Sequence, residues 1–558
     1  MSTSRHSFRY LPVAACCTFI VSIAVLSLAA CVPDAADSSA RPAGAAPDRG
    51  RALQAHTRFL AHDLLGGRGT GTAGFDIAAE YVAAHFALAG LEPMGDGGTY
   101  FQQVPLRRHS LEPNGVSFHL QIDGRLLPFE NGVDIAVGAS PRQLRDTLDA
   151  DLVFVGWGIS APELGIDDYR DLDVQGKAVV LLEGAPSDLP GAIRAHFSWI
   201  HQKERMAAAR GAVAVLTLKT PTRERIVSWE RTRALRPLPA VSWVRDDAGE
   251  ESRAIQATIS LGPRAGQALF AAAGHDFQAM LVAAEKQAPR GFPLPARVRM
   301  QRRSIHEPVS SANVVARLPG SDPELRDEHI LVVSHLDHVG MGPPVDGDAI
   351  YNGAIDNAGG IAVMLEVARA LAADRPRRSV LFVATTGEEM GLIGSEYFAA
   401  HPVVPLEHIV AAISVDGLMA FNDFTGIVAL GAEHSRLGEF SAAAAEAVGA
   451  KHVPDPIPER GNLALSDQYP FLRRGIPVLF PNPARDTGGA DPEGEAAWDA
   501  YVTRHYHQPT DDITLPIRWD SAARWLAYIE EVIKRAANDR RAIEWHDGDV
   551  LGRLFRRK

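Results

Sequence analysis

The chain has 558 residues, 46% of them hydrophobic, which is more than one ordinary core accommodates, so two or three structural units are expected. Its net charge of −12 argues against an electrostatic hold on nucleic acid or anionic lipid, because both need a basic face. The three cysteines, Cys16, Cys17 and Cys31, all lie near the N-terminus, so the rest of the chain has no thiolate for a disulfide or a metal site.

Residues 1–31 have the pattern of a lipoprotein signal. Arg5 and Arg9 precede an apolar run that ends in Leu-Ala-Ala-Cys31, which resembles the bacterial lipobox. We therefore expect cleavage of segment 1–30, a lipid on Cys31 as the sole membrane attachment, and export to the periplasmic side of the envelope. Val32 is not an Asp-type inner-membrane retention signal, which favours the outer membrane. An uncleaved membrane helix is the alternative, because the run is long enough to span a bilayer.

The next segments predict a tether and then a helix. Residues 31–51 are rich in Ala, Pro, Ser and Gly without apolar periodicity, which is typical of a flexible tether, so the fold is predicted to begin at Ala52. Apolar residues at helical spacing predict an amphipathic helix from Phe75 to Leu91. Gly69 to Gly74 matches G-x-G-x-x-G, but no strand precedes it, so a dinucleotide site is not indicated.

Residues 145–295 are predicted to form a smaller α/β unit inserted into a main domain made of 52–144 and 296–558. None of the candidate metal ligands lies in this unit, so we interpret it as a structural insertion. The basic run Ala296–Ser304 marks the return to the main domain and predicts a solvated face. The strands of the insertion are predicted at 152–158, 178–184, 212–218 and 238–243.

The main domain alternates apolar strands with helices. Near-continuous apolar strands of this kind predict an α/β fold with a mainly parallel central sheet that helices cover on both faces. Strands are predicted at 330–334, 379–385, 409–415, 427–430 and 476–480, and helices at 357–373, 435–450 and 521–538.

Polar side chains stand at the ends of these strands. His335 follows the first strand, and Asp337 comes two residues later. A ligating imidazole gives its other N–H to a carboxylate or carbonyl, and Asp337 suits that role. A histidine beside a strand is more often a hydrogen-bonded structural residue, so this motif is weak alone.

Three carboxylates follow along the chain. Asp356 begins a predicted helix, where a helix cap is the simpler interpretation, but its glycine-rich loop suits a carboxylate that bridges two cations. Glu388 and Glu389 stand in tandem after the next strand, where a solvated acidic turn is the alternative. Because adjacent side chains point in different directions, one can bind metal while the other faces the attacking water.

The last two candidates complete a metal-binding set. Asp416 ends a buried strand, where a carboxylate is costly unless it is paired, coordinated or solvated. His507 precedes a Gln-Pro-Thr turn that could fix its ring, whereas His505 is interpreted as structural. Two histidines with three carboxylates and no thiolate predict a divalent metal site, with zinc favoured over manganese or cobalt.

The segments HLDHVG, NGAIDNAGG, TTGEEMGLIGS, ISVDG and YHQPTDD together resemble the co-catalytic zinc aminopeptidase family, which includes bacterial leucyl aminopeptidases. Glutamate carboxypeptidase and the transferrin receptor ectodomain are more distant members. The stretch from VFVGWG to AVVLLEG resembles the protease-associated domain that is inserted in many members. One departure is Gln468 in SDQYP, where relatives often carry histidine, and it leaves the substrate contacts there open.

The resemblance implies two zinc ions per chain. His335 and Asp416 would hold one ion, Glu389 and His507 the other, and Asp356 would bridge them.

It also implies that Glu388 is the general base, which takes a proton from a water shared by the metals, and that Asp337 orients His335. The implied reaction is hydrolysis of the peptide bond next to a free N-terminus, with peptides as substrates. A carboxypeptidase, a dipeptidase or a single-zinc glutaminyl cyclase on the same fold is the alternative enzyme. A receptor-like binding protein is the alternative of another class, and it predicts missing ligands.

Overall fold

The computed structural model of the protein describes residues 46–244, 254–286 and 289–556. The predicted signal segment 1–30, Cys31 and the first part of the predicted tether lie outside these ranges. Of the helices within them, none combines the length and the apolarity that crossing a membrane requires.

Strands make up most of the framework. They are β1 (Glu92–Pro93), β2 (Phe101–Ile122), β3 (Arg125–Phe129), β4 (Ile135–Ala136), β5 (Arg145–Phe154), β6 (Ser160–Ala161), β7 (Ile166–Asp167), β8 (Ala178–Leu182), β9 (Ala214–Leu218), β10 (Ala240–Trp243), β11 (Ala257–Leu261), β12 (Phe292–Leu318), β13 (His329–His335), β14 (Gly340–Val345), β15 (Asp348–Tyr351), β16 (Ser379–Thr385), β17 (Ile409–Ser414), β18 (Gly426–Leu430), β19 (Lys451–His452) and β20 (Val478–Pro483).

Helices cover these strands. They are α1 (Ala46–Leu60), α2 (Ala73–Leu88), α3 (Gly191–Ser198), α4 (Ile200–Ala209), α5 (Pro221–Ile226), α6 (Trp229–Leu235), α7 (Pro263–Ala272), α8 (Phe277–Ala284), α9 (Gly360–Ala373), α10 (Ile393–Ala400), α11 (Leu437–Ala447), α12 (Tyr469–Leu472), α13 (Pro492–Ala500), α14 (Trp519–Asn538) and α15 (Val550–Phe555).

One sheet of 16 strands runs through the described chain, in the order β19-β18-β20-β17-β13-β16-β12-β5-β8-β9-β11-β4, with β1, β2, β3 and β10 attached beside this path. At its centre β13 pairs in parallel with both β16 and β17, and β17 pairs in parallel with β20. A second parallel set, β5, β8, β9 and β11, belongs to the predicted insertion. The predicted α/β class with a mainly parallel central sheet is confirmed.

The central strands are apolar on both faces because helices cover both. In β13, Ile330 and Val332 join one buried cluster, to which α1, α2, α9, α11 and α14 contribute. Leu331 and Val333 point the other way and join a cluster that continues into the strands of the insertion. The near-continuous apolar pattern follows from this double burial.

The predicted tether ends earlier than expected. Residues 46–51 belong to α1, so the fold begins before Ala52. Arg49 lies 2.5 Å from Glu530, and a Cβ added at Gly50 would lie 2.7 Å from the carbonyl oxygen of Trp519. Small and polar residues therefore serve close packing against α14, and their composition was mistaken for that of a linker.

The basic run at 296–304 lies inside the long strand β12, which pairs antiparallel with β2, β5 and β16. The predicted solvated face is wrong for Arg302, whose side chain is buried and lies 2.7 Å from Asp146. Arg297 is on the exposed side of the strand and pairs with Asp151 at 2.7 Å. The alternation of a strand thus divides the run between two faces.

Candidate metal centre

Three adjacent parallel strands bring most of the candidate residues to one edge of the sheet. His335 is the last residue of β13, Glu388 and Glu389 follow β16, and Asp416 follows β17. Because β13 lies between β16 and β17 and all three run in the same direction, their carboxyl ends meet. The order of apolar runs in the sequence therefore places these side chains at one crevice.

Asp356 reaches this crevice from an irregular turn, Ala354–Gly359. Its backbone is not helical, and α9 begins only at Gly360, so Asp356 does not act as the cap of that helix. Asp511 fixes the turn, because its carboxylate accepts hydrogen bonds from the main-chain N–H groups of Ile355 (2.9 Å) and Asp356 (3.2 Å).

His507 approaches from the opposite side, at a backbone φ of 56° that is uncommon outside glycine. Its ring stacks on that of Tyr506, with 3.9 Å between the centroids. His505 points elsewhere, and its Nδ1 lies 2.8 Å from the hydroxyl of Thr510.

The five predicted ligands form two groups joined by Asp356. Nε2 of His335 lies 3.2 Å from Oδ1 of Asp356 and 3.2 Å from Oδ1 of Asp416. Nε2 of His507 lies 3.0 Å from Oδ2 of Asp356 and 3.2 Å from Oε2 of Glu389. Each oxygen of Asp356 thus faces a different histidine, as a bridging carboxylate requires.

These separations fit zinc. Ligand atoms about 2.0 Å from a tetrahedral zinc ion lie about 3.3 Å from each other. The distances of 3.0–3.2 Å within each group approach that value, and the donors are the imidazole nitrogens and carboxylate oxygens that zinc accepts. The donor atoms and their spacing therefore fit zinc.

Electrostatics favour positive charge at this point. Burial alone would lower the pKa of His507, but Glu389 and Asp356 outweigh it and raise that pKa to about 10. Burial is likewise outweighed at His335, where Glu388 and Asp416 raise the pKa well above its usual value. A cluster of carboxylates that stabilises protonated imidazoles will also stabilise divalent cations that bind in place of those protons.

Glu388 lies beside the first group. Single ligand atoms of Glu388, His335 and Asp416 lie within 4.8 Å of one another. Burial, with Asp416 and Glu389 nearby, raises the pKa of the Glu388 carboxyl well above its usual value. A carboxylate with a raised pKa accepts a proton more readily, as a general base must.

Asp337 lies beneath both Glu388 and His335. Nδ1 of His335 is 3.0 Å from the main-chain carbonyl oxygen of Asp337, so the carbonyl and not the carboxylate meets the imidazole. The Asp337 carboxylate instead accepts hydrogen bonds from the N–H of Glu388 (3.1 Å) and the hydroxyl of Thr70 (3.1 Å). The residue connects the proposed base and a proposed ligand.

Sequence reasoning did not single out Asn357, which joins the ends of β13 and β17. Its amide donates to the hydroxyl of Ser334 (3.0 Å), and its Oδ1 accepts from the N–H of Gly417 (2.9 Å). These bonds set the spacing between His335 and Asp416. The asparagine was visible in the NGAIDNAGG motif, but its partners were not.

Arg68 was also missed. It immediately precedes the Gly69–Gly74 segment that matches a dinucleotide motif, and its buried guanidinium donates hydrogen bonds to four main-chain carbonyls near the site. They are those of Leu60 (2.5 Å), Leu336 (2.9 Å), Asn352 (2.7 Å) and Gly353 (3.0 Å). Arg68 therefore holds together the main-chain segments beside the crevice.

Gln468, the departure from the family pattern, is fully buried, and its amide donates to the carbonyl of Leu463 at 2.9 Å. The neighbouring Asp467 accepts a hydrogen bond of 2.6 Å from Thr385, the last residue of β16. The pair therefore packs behind the end of β16.

Residues 313–533 match Peptidase family M28, and this range contains all five predicted ligands and Glu388. This part of the chain is similar to peptidase family M28, and it makes up less than half of the chain. The predicted insertion 145–295 lies outside the match.

Curated proteins are similar to this chain over short stretches. A "Probable zinc metalloprotease" of Pyrenophora teres f. teres (strain 0-1) is 37% identical over 109 residues, which are 20% of this chain and 23% of that protein. "Aminopeptidase NAALADL1" of Mus musculus is 33% identical over 137 residues, 23% of this chain and 16% of that protein. The matched region thus spans about a quarter or less of the length of these relatives.

Among solved structures, "Aminopeptidase from Aneurinibacillus sp. strain AM-1" has a TM-score of 0.50 and 19% identity, and the match covers 88% of this chain and 94% of that one. At this identity the likeness shows a shared fold.

Proposed function

We propose that the protein is a zinc aminopeptidase that removes the N-terminal residue from peptides. The observation that carries the proposal is the position of Asp356, whose two oxygens face two separate histidine–carboxylate pairs at 3.0 and 3.2 Å. The likeness of residues 313–533 to Peptidase family M28 supports peptide hydrolysis. The aminopeptidase names of two similar proteins support the choice of the N-terminus.

In the proposal, His335 and Asp416 hold one zinc ion, His507 and Glu389 hold the other, and Asp356 binds both. When bound, the two ions would polarise the scissile carbonyl and lower the pKa of the attacking water. The protein fixes the ligands from three strand ends and two loops, so the site is formed before substrate arrives.

Glu388 has the task of moving the proton. Its carboxylate lies beside the His335 and Asp416 pair, where it would take the proton of the attacking water and pass it to the leaving amine. The hydrogen bond from the main-chain N–H of Glu388 to the carboxylate of Asp337 fixes the backbone of Glu388. Peptide cleavage then needs no further proton donor.

Charge supports a substrate with a free amino group. Two zinc ions would balance the charges of Asp356, Glu388, Glu389 and Asp416. The carboxyl groups of Asp337 and Asp511, buried close by with pKa values of about 6 that burial raises, add negative charge at neutral pH beyond that balance, and the charged Arg68 offsets only part of it. The α-ammonium group of a peptide would be attracted to this excess.

The test compares aminoacyl p-nitroanilides that have a free α-amino group with their N-acetylated counterparts. We expect hydrolysis of the free compounds alone, loss of activity after a chelator removes the metal, and recovery when about two zinc ions per chain are restored. Cleavage of blocked peptides from the C-terminus would instead identify a carboxypeptidase. One zinc ion with cyclisation of N-terminal glutamine would identify a glutaminyl cyclase.

We also propose that residues 145–295 are a protease-associated insertion that borders the site. Its helix α3 contacts segments Pro458–Arg460 and Asn462–Ala464 of the peptidase domain. Nδ1 of His196, in α3, lies 2.7 Å from the hydroxyl of Tyr469, two residues beyond Asp467. These contacts support a role for the insertion in shaping the approach of substrate.

For location, we propose export and attachment to the outer membrane through a lipid on Cys31, on the strength of the Leu-Ala-Ala-Cys pattern. A Cys31→Ala variant should take up no fatty acid, whereas Cys17→Ala, a control inside the apolar run, should take up as much as the unmodified protein. Labelling with a radioactive fatty acid and fractionation measure both. If the unmodified protein takes up no fatty acid but stays in the membrane after an alkaline carbonate wash, the uncleaved helix is the correct interpretation.

A further inference from the structure

His338 is a buried histidine at the metal centre to which the proposed function gives no task. Its Nδ1 lies 2.7 Å from Oε1 of Glu389. Its ring meets the ring of His507 edge to face, with 5.5 Å between the centroids and an angle of 74°. His338 therefore contacts two of the three predicted ligands of one zinc site.

The main chain holds the His338 ring in a single place. A Cβ added to Gly353, at a φ of 61°, would lie 2.5 Å from Cγ of His338, so the glycine backbone lies directly against the ring. Gly353 is itself held by Arg68, which donates to its carbonyl at 3.0 Å. The N–H of His338 donates to the carbonyl of Arg68 at 3.4 Å. Because the His338 ring is held by the main chain, it can hold the carboxylate of Glu389 in one orientation.

The contacts divide the two oxygens of Glu389 between two partners. Oε1 meets Nδ1 of His338 at 2.7 Å, and Oε2 lies 3.2 Å from Nε2 of His507. A carboxylate free to rotate could offer zinc either oxygen or both. With Oε1 2.7 Å from a ring nitrogen of His338, Oε2 is the oxygen that faces His507 and the metal position.

We propose that His338 is a positioning residue for the zinc site formed by Glu389 and His507: it holds Oε1 of Glu389 so that Oε2 alone binds the ion. The inference rests on the proposed function to the extent that it needs zinc at this site. It also predicts a larger effect at this site than at the other, because the described side-chain contacts of His338 reach Glu389 and His507, whereas its interaction with the shared ligand Asp356 is electrostatic.

Two amide substitutions distinguish the roles of the two ring nitrogens of His338. In His338→Asn the side-chain amide takes the place of Nδ1, and in His338→Gln it takes the place of Nε2. His338→Ala removes both. If the contact to Glu389 is what matters, asparagine should rescue the site and glutamine should not.

The measurements are the two zinc affinities of the purified full chain, by competition with a chromophoric chelator, and the visible absorption of the cobalt-substituted protein. In His338→Ala and His338→Gln we expect the zinc affinity of the site with Glu389 and His507 to fall about 10–100-fold, since partners of metal ligands have effects of that size. The zinc affinity of the other site should stay unchanged. We expect weaker cobalt bands in these variants, because a two-oxygen Glu389 raises the coordination number. His338→Asn should stay within a few-fold of the unmodified protein in both readouts.

A control is available in His329→Ala, which removes another buried histidine at the opposite end of β13 and should leave both zinc affinities unchanged. Equal loss of both ions in His338→Ala, rescue by glutamine in place of asparagine, or unchanged affinities in every variant would each overturn the inference.

These outcomes are distinct from failure of the proposed function. An unmodified protein that binds two zinc ions but cleaves no aminoacyl anilide overturns the aminopeptidase proposal and leaves the His338 comparison intact. An active enzyme that binds two zinc ions, and whose zinc affinities do not change when His338 is substituted, overturns this inference alone. An unmodified protein that binds no zinc overturns both.

Discussion

Replacing Glu388 by glutamine is expected to lower kcat for aminoacyl anilides by about 10³-fold while both zinc ions remain bound. Glutamine keeps the size of the side chain but cannot accept the proton of the attacking water. The hydrogen bond from residue 388 to Asp337 comes from the main chain, so the substitution leaves it in place. KM should change little, since the loss concerns the proton transfer and not the binding of substrate.

The adjacent carboxylate provides the matched control. Glu389→Gln should lower zinc content, because Oε2 of Glu389 lies 3.2 Å from Nε2 of His507 in the predicted ligand set. Zinc content by mass spectrometry of metals, measured beside kcat and KM, separates the two roles. Loss of zinc in Glu388→Gln would make Glu388 a ligand, and an active Glu388→Gln variant would end its assignment as the base.

The part of the site on strand ends could be predicted from sequence because hydrophobicity marks where a buried strand stops. His335, Glu389 and Asp416 each follow an apolar run, and parallel neighbours share an edge. Asp356 was harder to interpret, because an aspartate before a helix is as well explained by a cap. The backbone decides that point, since α9 starts at Gly360.

The support beneath the site could not be predicted in the same way. Arg68 makes its bonds to main-chain carbonyls, and every residue has a carbonyl, so the partners leave no mark in the sequence. His338 stood in the HLDHVG motif, but its contact with Glu389 depends on how far the loop after β16 returns toward β13. Long-range geometry of this kind follows from the fold and not from local pattern.

Among strands, β2 was overlooked although its first half alternates between buried and exposed residues, the signal of a half-covered strand. Pro105 and Gly115 nevertheless resemble turn residues. The pairing of β2 (22 residues) with the longer β12 (27 residues) keeps both in the sheet. A partner distant in sequence thus overrides the local preference of the chain.

The buried Arg68 has the widest structural influence of these residues. Its four acceptors come from α1, from the loop after β13 and from the turn before Asp356, so one guanidinium joins three segments around the metal centre. Burial lowers the pKa of Arg68 to about 10, with the carboxylates of Asp511 and Asp337 opposing the shift, and the group stays charged at neutral pH. Its charge also offsets part of the negative charge of the site.

Arg68→Met is therefore expected to lower the free energy of unfolding by about 4 kcal/mol, because it leaves four carbonyls without their donor in a buried place. The free energy of unfolding of Arg68→Lys should lie between those of Arg68→Met and the unmodified protein. An ammonium group keeps the charge but cannot reach all the acceptors that a forked guanidinium reaches. Guanidinium chloride unfolding of the zinc-free protein, followed by tryptophan fluorescence, measures the loss without any contribution from metal binding. Arg58→Met, at an exposed position of α1, is the control and should change stability by less than about 0.5 kcal/mol. Equal stability of the Arg68→Met and Arg58→Met proteins would mean that water replaces the guanidinium at low cost, and Arg68 would then lose its assigned role in holding Gly353 against His338.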